Sequence, residues 1–332
     1  MATEEDVELI EENKISSSES GNGTGLVLYC YHHCFHSQKV LMALNEKNIP
    51  FKIELVDITR DEQYESWFLK INPKGTLPVL KDGIKYIPNS KRIMGYLEDN
   101  FSNGEYTRLI PIDQGHDVRQ RVISFHDKVC EISPYIVTMG TIVNNRWCNN
   151  LKYPYSLYCV RRLLKASFFS SCKTLRRYAS KSTEFKEVLL QKADALEKIN
   201  SLVTVPENYL KIIETIEDLM NEVEKELFHR GEEKADWWLF TDRFTIADIS
   251  FTLLLDRLSR LGMELNFWKG GMRPHVEMYY HRAQERESYK KIIPTLSTDL
   301  SFFMKTRGSL IVGISLLTVA TVVVGSFLRF RK

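Results

Sequence analysis

The chain has 332 residues, with 45 basic and 43 acidic side chains and a formal net charge of +2. This length predicts about two domains, and the near balance of charge argues against a nucleic-acid-binding protein that depends on bulk positive charge. The six cysteines are scattered without the spacing of a disulfide framework, and we read no apolar signal peptide. We therefore expect a protein of the reducing cytosol without structural disulfides.

The first 25 residues are strongly acidic and polar. They contain seven acids against the single basic residue Lys14, and they end in SSSESGNGTG. Such a segment cannot bury enough apolar surface to offset the entropy lost on ordering, so we predict that residues 1–25 are disordered. The segment is also unlike an arginine-rich, acid-poor mitochondrial presequence. Any targeting signal is therefore expected elsewhere in the chain.

The next stretch, residues 26–104, alternates short apolar runs with segments of helical spacing. The predicted elements are, in chain order, a strand at 26–29, a helix at 36–47, a strand at 51–56, a helix at 61–70, strands at 77–80 and 84–87, and a helix at 89–100. The turn KDG at 81–83 joins the last two strands as a hairpin. This order is typical of a thioredoxin-like α/β layer.

From about residue 112 onward, every long segment has helical character. The predicted helices are one at 118–141, a segment at 183–203 and a third that begins at Pro206. In the third, apolar residues recur at helical spacing: Leu210, Ile213, Ile216, Met220, Val223 and Leu227. TIAD at 245–248 has the pattern of a capping box, in which Thr245 and Asp248 satisfy each other's backbone amides, and Gly262 ends that helix.

Residues 308–328 contain no charged side chain. A helix of this length, at ~1.5 Å per residue, spans about 30 Å, which is the thickness of a bilayer's hydrocarbon core. A buried core helix is the alternative, but core helices usually carry a more polar face than Ser, Thr and Gly provide. We therefore predict a C-terminal transmembrane helix. Because four residues follow it, we expect a tail-anchored protein whose remainder faces the side on which it is made.

Three motifs, in this order, resemble the glutathione transferase family. They are LYCYHHCFHSQKV at 28–40, NPKGTLPVL at 72–80 and FTIADI at 244–249. The resemblance covers about residues 26–104 and 205–292. It implies a thioredoxin-like N-terminal domain at 26–104 and an all-helical domain at 105–300. In this family Pro78 would be the cis-proline before the third strand.

Two features are absent from ordinary members of that family: the apolar tail and an insert at residues 145–204. Together with SQKV at 37–40, FTIADIS at 244–250 and SRLGMEL at 259–265, they resemble the ganglioside-induced differentiation-associated protein 1 group, more than the metaxins. Members of that group are tail-anchored in the mitochondrial outer membrane and also in peroxisomes, and they influence organelle division. The resemblance implies the same location, with the bulk of the chain facing the cytosol.

The family resemblance also implies a glutathione site. Cys34 occupies the turn before the first helix, where a helix N-terminus favours a thiolate. By resemblance to omega-class members, it could form a mixed disulfide with glutathione, and the alternative is an inert, half-buried cysteine. The backbone of Leu77, before Pro78, would pair with the cysteinyl unit of glutathione. Ser90 and its helix N-terminus suit the γ-glutamyl carboxylate, but Asn89 stands where the family has an acid.

Cysteine and histidine residues crowd the same turn: Cys30, His32, His33, Cys34 and His36. Structural zinc needs four ligands that converge on a tetrahedron. Neighbouring residues of a strand followed by a tight turn point in opposite directions, so few of the five side chains could meet. We therefore predict no metal site here.

The insert is rich in basic residues. Nine lie between Arg146 and Lys181, with no acid in that interval and with tyrosine and phenylalanine interleaved. It reads as a solvated helical hairpin, as a surface for anionic lipid headgroups, or as a docking surface for an acidic protein partner. Nucleic acid is disfavoured because the tail confines the protein to a membrane. The candidate surface residues are Arg161, Arg162, Arg176 and Arg177.

Two functions are compatible with these features. The first is a membrane-anchored adaptor that shapes mitochondrial or peroxisomal networks, with partners among proteins of organelle division or the cytoskeleton. The second is a membrane-bound glutathione transferase or glutathione-dependent thiol transferase that uses Cys34. Glutathione is the one candidate cofactor. A homodimer is expected from the fold, unless the long helices at 183–228 block the usual interface. The basic residues Arg329, Arg331 and Lys332 are the predicted targeting signal.

Overall fold

The computed structural model describes residues 25–102, 104–144, 150–230, 234 and 236–302. The disorder predicted at 1–25 falls outside these ranges, except for Gly25. The transmembrane helix predicted at 308–328 and the targeting residues Arg329, Arg331 and Lys332 also lie outside them. Within the described ranges, no helix is both long enough and apolar enough to cross a membrane.

The N-terminal half is a mixed sheet covered by helices. Its four strands are β1 (Val27–Cys30), β2 (Lys52–Leu55), β3 (Val79–Asp82) and β4 (Lys85–Pro88), in the spatial order β2-β1-β3-β4. Strand β1 runs parallel to β2 and antiparallel to β3. The predicted β3–β4 hairpin is confirmed, and Gly83 turns it with φ of +57°, which glycine tolerates best. The predicted thioredoxin-like layer is therefore present.

Three helices accompany this sheet: α1 (Phe35–Glu46), α2 (Ser66–Ile71) and α3 (Ser90–Asn100). The helix predicted at 61–70 is wrong in its first half, which forms 3-10 turns instead. Asp57 accepts from the Thr59 amide, and Asp61 adopts a left-handed conformation with φ of +61°. These local side-chain contacts compete with a regular helix, so the helix begins only at Ser66.

The C-terminal half is helical in all its described elements. They are α4 (His116–Glu131), α5 (Pro134–Asn144), α6 (Tyr158–Lys181), α7 (Lys186–Thr204), α8 (Pro206–Phe228), α9 (Ile246–Arg260), α10 (Glu264–Phe267), α11 (Pro274–Gln284) and α12 (Glu287–Ile292). The single helix predicted at 118–141 is wrong, because the chain becomes extended at Ile132 and α5 begins at Pro134. Proline cannot continue the preceding helix but is well suited to start a new one.

Helix α9 is the centre of the helical half and is buried on nearly every side. The predicted capping box at its start is confirmed. The buried Asp248 carboxylate accepts from the Thr245 amide at 2.8 Å and from the Thr245 hydroxyl at 2.6 Å. It also accepts from the Leu239 amide at 2.8 Å and from the Tyr279 hydroxyl at 2.9 Å. Four donors from three segments therefore converge on one carboxylate.

The insert forms a packed helical hairpin of α6 and α7. Leu175 and Ala179 of α6 pack with Leu189 and Ala193 of α7 in one apolar cluster that also includes Leu69 of α2. Beside this cluster, Lys192 donates to the Lys74 and Gly75 carbonyls at 2.7 and 2.8 Å. The hairpin thus contacts the N-terminal half as well as its own.

Candidate functional site

The site is built on the turn that joins β1 to α1. Cys34 immediately precedes α1 and has extended backbone angles, and its carbonyl accepts from the Gln38 amide at 2.9 Å. Its amide donates to the Tyr31 carbonyl at 3.0 Å, which closes the turn. The partly exposed Cys34 thiol lies 4.0 Å from the Leu77 carbonyl. This position at a helix N-terminus suits an anionic sulfur or the anionic group of a ligand.

Side chains from both halves of the fold hold this turn. Gln38 donates to the His32 carbonyl at 3.0 Å. Arg257, a buried residue of α9, donates to the His33 carbonyl at 3.0 Å and to the Tyr155 hydroxyl at 2.6 Å. The sequence motifs do not reveal Arg257, although an arginine beside the apolar run LLL of a helix core is the available signal.

The remaining predicted ligand-site residues lie around the same helix N-terminus. The Leu77–Pro78 peptide is cis, as predicted. The Asn89 amide donates to the Pro78 carbonyl at 3.3 Å, while its side chain accepts from the Lys91 amide at 2.8 Å and so caps α3. Buried Ser90 lies 3.5 Å from the His36 imidazole. Cys34, Leu77, Pro78, Asn89 and Ser90 therefore form one cluster, but the Asn89 side chain is engaged by its own helix.

His36 borders this cluster as a neutral side chain. Burial lowers its pKa to about 4, and the positive charges of Lys39 and Arg257 act in the same direction. At neutral pH it can therefore accept or donate one hydrogen bond to Ser90 but contributes no charge. The positive charge of this region belongs to the helix N-termini and to the two buried cations.

The C-terminal segment at 296–302 lies against the turn. Asp299 and the His33 imidazole are 2.7 Å apart, and Asp299 also accepts from the Tyr153 hydroxyl. Burial alone would raise the pKa of the Asp299 carboxyl, but hydrogen bonds from His33 and Tyr153 outweigh it and lower that pKa. The Phe302 ring meets Tyr31 and His32 edge-on, with centroid distances of 6.3 and 6.1 Å. These contacts were not predicted.

The crowded cysteines and histidines of the turn take different partners. Cys30 is buried in β1, and this burial raises the pKa of its thiol to about 12. His33 faces Asp299, whereas His36 faces Ser90. Across the described ranges, no group of three or more His, Cys, Asp or Glu side chains is arranged to hold a metal ion.

The four arginines predicted as a surface divide into two pairs. Arg161 donates to the Tyr155 and Ser156 carbonyls at 2.5 and 2.8 Å. Arg176 forms ion pairs with Asp194 and Glu197 of α7 at 3.1 and 2.6 Å. Both therefore bind within the fold. Arg162 and Arg177 are exposed, and the Arg177 guanidinium lies over the Tyr178 ring.

Comparison with known sequences supports the resemblance. Residues 33–100 match the family model of the glutathione S-transferase N-terminal domain. The chain is 25% identical over 284 residues to ganglioside-induced differentiation-associated protein 1-like 1 of Homo sapiens, and the match covers 83% of this chain and 75% of that protein. It is 24% identical over 268 residues to glutathione S-transferase TCHQD of Arabidopsis thaliana, covering 79% of this chain and 88% of that protein.

Solved structures show the same fold. The β-etherase LigF of Sphingobium sp. strain SYK-6 has a TM-score of 0.57 and 21% identity, with 81% of this chain and 98% of that chain covered. A glutathione transferase homologue from Lodderomyces elongisporus, with two GSH per subunit, has a TM-score of 0.53 and 16% identity, covering 81% and 97%. The chain therefore has a glutathione S-transferase-like fold; its residues 33–100 match the glutathione S-transferase N-terminal domain, and it is similar over most of its length to ganglioside-induced differentiation-associated protein 1-like 1.

Proposed function

We propose that this chain is a tail-anchored protein of the mitochondrial outer membrane that uses the glutathione S-transferase fold as a binding module. In this proposal the bulk of the chain faces the cytosol and shapes the mitochondrial network, and that of peroxisomes where it also resides. The charge-free stretch at 308–328 supports the anchor. The similarity to ganglioside-induced differentiation-associated protein 1-like 1 supports the assignment to that group.

One contact carries the proposal: the Tyr153 hydroxyl donates to the Asp299 carboxylate. Tyr153 lies five residues before α6 begins at Tyr158, and Asp299 lies shortly before the chain continues toward residue 308. The contact therefore brings the start of the basic hairpin beside the segment that leads to the predicted anchor. A membrane that holds the anchor would lie close to this end of α6.

The outer face of α6 has the chemistry of a membrane-surface helix. Tyr158, Leu163 and Phe169 are 70%, 69% and 70% exposed. Spacings of four, three, four and four residues align Tyr158, Arg162, Lys165, Phe169 and Lys173 along one exposed stripe. Aromatic rings suit the headgroup level of a bilayer, and basic side chains are attracted to anionic headgroups. We therefore revise the proposed surface to Arg162, Lys165 and Lys173. Arg161 and Arg176 are left out of it because they bind within the fold.

The candidate ligand site departs from the pattern of the family at one position. The family's acid would hold the ammonium of glutathione, but Asn89 occupies that position and its side chain caps α3. A neutral amide that already accepts a backbone amide is a poor partner for an ammonium group. This departure favours a binding module over a transferase.

A second function is favoured by the thiol at the turn. Cys34 lies at the N-terminus of α1, beside the Leu77–Pro78 peptide, which is where the family binds glutathione. The arrangement is compatible with thiol–disulfide exchange, in which the Cys34 thiolate attacks a glutathione mixed disulfide. Glutathione-dependent thiol transfer that disappears in Cys34→Ser would identify this second function.

The contact of α6 with lipid can be measured on the full chain reconstituted into liposomes. We expect backbone hydrogen exchange in α6 to be slower in phosphatidylcholine liposomes that contain phosphatidylserine than in pure phosphatidylcholine. Replacing Arg162, Lys165 and Lys173 by glutamate should abolish the difference, because each basic residue at the surface contributes about 1 kcal/mol of attraction. Raising the salt concentration should weaken the protection in the same way.

A matched control reverses three exposed lysines of the N-terminal half, Lys52, Lys70 and Lys85. This variant carries the same change in net charge and should retain the protection of α6. Equal exchange of α6 in both kinds of liposome would contradict the proposed membrane contact.

A further inference from the structure

A second cysteine, Cys130, has the surroundings of a reactive thiol. It lies near the end of α4, where its sulfur is 3.0 Å from the Lys39 ammonium of α1. The His126 imidazole, one turn earlier on α4, approaches the same sulfur at 3.5 Å. The Cys130 side chain is partly exposed. A nucleophile, a cation and a base thus meet where the two halves of the fold pack together. Lys39 lies on α1, the helix whose N-terminus forms the candidate ligand site.

Lys39 contributes a buried positive charge to this group. Its side chain is only 1% exposed, because α1 is covered on nearly every side. Its hydrogen-bond acceptor within the described ranges is the Cys130 sulfur, and the Phe35 ring lies 5.6 Å from the ammonium. A buried ammonium is costly unless an anion lies beside it. A thiolate at Cys130 would supply that anion.

His126 is oriented to exchange a proton with the sulfur. Its Nδ1 lies 3.1 Å from the Ile246 carbonyl and 2.8 Å from the Ser250 hydroxyl. Because a carbonyl only accepts, we assign a proton to Nδ1, which leaves Nε2 to take the proton of the Cys130 thiol or, as imidazolium, to donate to the thiolate. Burial alone would raise the pKa of the Cys130 thiol, but the His126 hydrogen bond and the Lys39 charge lower it to about 7.

We propose that Cys130 is a reactive thiolate, held by Lys39 and His126, and that it is a site of reversible S-thiolation by low-molecular-weight disulfides such as oxidised glutathione. In this reaction the Cys130 sulfur forms a bond to one sulfur of the disulfide, and the other sulfur leaves as a glutathione thiolate. No other oxidant is needed. Reduced glutathione reverses the reaction by the same exchange.

The modification would also weaken the contact between α1 and α4. A mixed disulfide carries no charge at sulfur, so Lys39 loses its counter-ion while it remains buried. The attached tripeptide must also be accommodated beside the buried Lys39 side chain. S-thiolation of Cys130 is therefore expected to lower the midpoint of thermal unfolding of the full chain, which links the redox state of the thiol pool to the rigidity of the interface.

The first test measures the alkylation rate of each cysteine by iodoacetamide across a pH series, using the full chain in detergent and peptide mass spectrometry. Cys159 is exposed and serves as the internal reference. Lys39 on α1 and His126 on α4 are the titratable groups in contact with Cys130. We expect the Cys130 rate to be half-maximal near pH 7, a lower pH than an ordinary thiol requires.

Two measurements on one variant separate the proposed role of Lys39 from a purely structural one. Lys39→Met keeps an unbranched chain in a buried position and should move the Cys130 profile to higher pH. Alkylation at pH 7 should become about fivefold slower if the midpoint rises from pH 7 to pH 8. The Cys159 rate should not change, and the buried Cys30 should remain unreactive, which shows that the variant is folded. A Cys130 profile that coincides with that of Cys159 in the unmodified chain, or that does not move in Lys39→Met, would overturn the assignment.

The second test equilibrates the full chain with mixtures of oxidised and reduced glutathione and maps the adduct by mass spectrometry. We expect an adduct on Cys130 that persists in Cys34→Ser, disappears in Cys130→Ser and lowers the thermal midpoint. An adduct confined to Cys34 would refute the inference and would support the second function instead. The hydrogen-exchange experiment on α6 in liposomes tests only the membrane proposal. The membrane proposal and the Cys130 proposal can therefore fail separately.

Discussion

Replacing Glu98 by leucine is expected to lower the free energy of unfolding by about 3–5 kcal/mol, the range for breaking a buried ion pair. The Glu98 carboxylate accepts from the Lys47 ammonium at 2.7 Å and from the Leu109 and Ile110 amides at 3.1 and 3.2 Å. Lys47 also donates to the Thr107 carbonyl at 2.7 Å. The pair ties the end of α1 and α3 to the segment that enters the helical half. Loss of Glu98 leaves a buried cation without a counter-ion and two amides without partners.

The companion variants give an ordered series in urea unfolding. Lys47→Met should lower the free energy of unfolding less than Glu98→Leu does, because Glu98 retains the Leu109 and Ile110 amides as donors. The double variant should be more stable than Glu98→Leu alone, since it leaves no buried charge unpaired. As a control, Lys128→Met removes an exposed ion pair to Glu222 and should cost about 0.5 kcal/mol or less. A cost for Glu98→Leu no larger than for Lys128→Met would show that the buried pair is unimportant.

Replacing Asp248 by asparagine should also destabilise the fold, by about 3–5 kcal/mol, because hydrogen bonds to a charged group contribute about 1.5–3 kcal/mol each and unpaired buried donors add a penalty. The carboxylate accepts four hydrogen bonds from Thr245, Leu239 and Tyr279. An asparagine has one acceptor oxygen and turns its amide donors toward two of those groups. The start of α9, the most deeply buried helix of this half, would lose its cap.

Thermal unfolding by circular dichroism checks this expectation against a surface carboxylate. Asp242 is exposed and accepts from Gln114 at 2.6 Å, so Asp242→Asn should leave the midpoint nearly unchanged. Tyr279→Phe removes one of the four donors and should have an intermediate effect, of about 1 kcal/mol. If Asp248→Asn unfolds at the same temperature as Asp242→Asn, the capping box does not have the importance that its hydrogen bonds indicate.

Local patterns were sufficient for much of the fold. The order of strands and helices in the N-terminal half, the hairpin at Gly83 and the cap at Thr245 each depend on residues close together in the chain. The one long helix predicted at 118–141 was wrong for a local reason that the sequence contains. Pro134 signals a new helix, and the residue before a proline avoids helical angles.

The contacts that shape the site could not be predicted, because they join distant parts of the chain. Arg257 reaches the His33 carbonyl across 224 residues, and Asp299 meets His33 across 266 residues. Lys39 reaches Cys130 across 91 residues. Periodicity indicates only that Lys39 lies on a buried helix. Which group balances its charge depends on where the tertiary structure places α4 relative to α1.

For the basic insert, too, the sequence could not predict which side chains take partners within the fold. Its composition identifies a positive segment, but it does not distinguish arginines that bind within the hairpin from those that face solvent. Arg176 pairs with acids of α7 that lie outside the acid-free interval, so the interval itself contains no sign of them. Helical phase, known once α6 is fixed at Tyr158–Lys181, selects Arg162, Lys165 and Lys173 instead.

Alkaline carbonate extraction of mitochondria from cells that express the full chain with an N-terminal epitope tests both the anchor and its orientation. We expect the full chain to stay with the membrane pellet and its epitope to be digested by protease added to intact mitochondria. A variant that lacks residues 308–332 should appear in the soluble fraction. Release of the full chain by carbonate, or protection of the epitope in intact mitochondria, would contradict a tail-anchored protein that faces the cytosol.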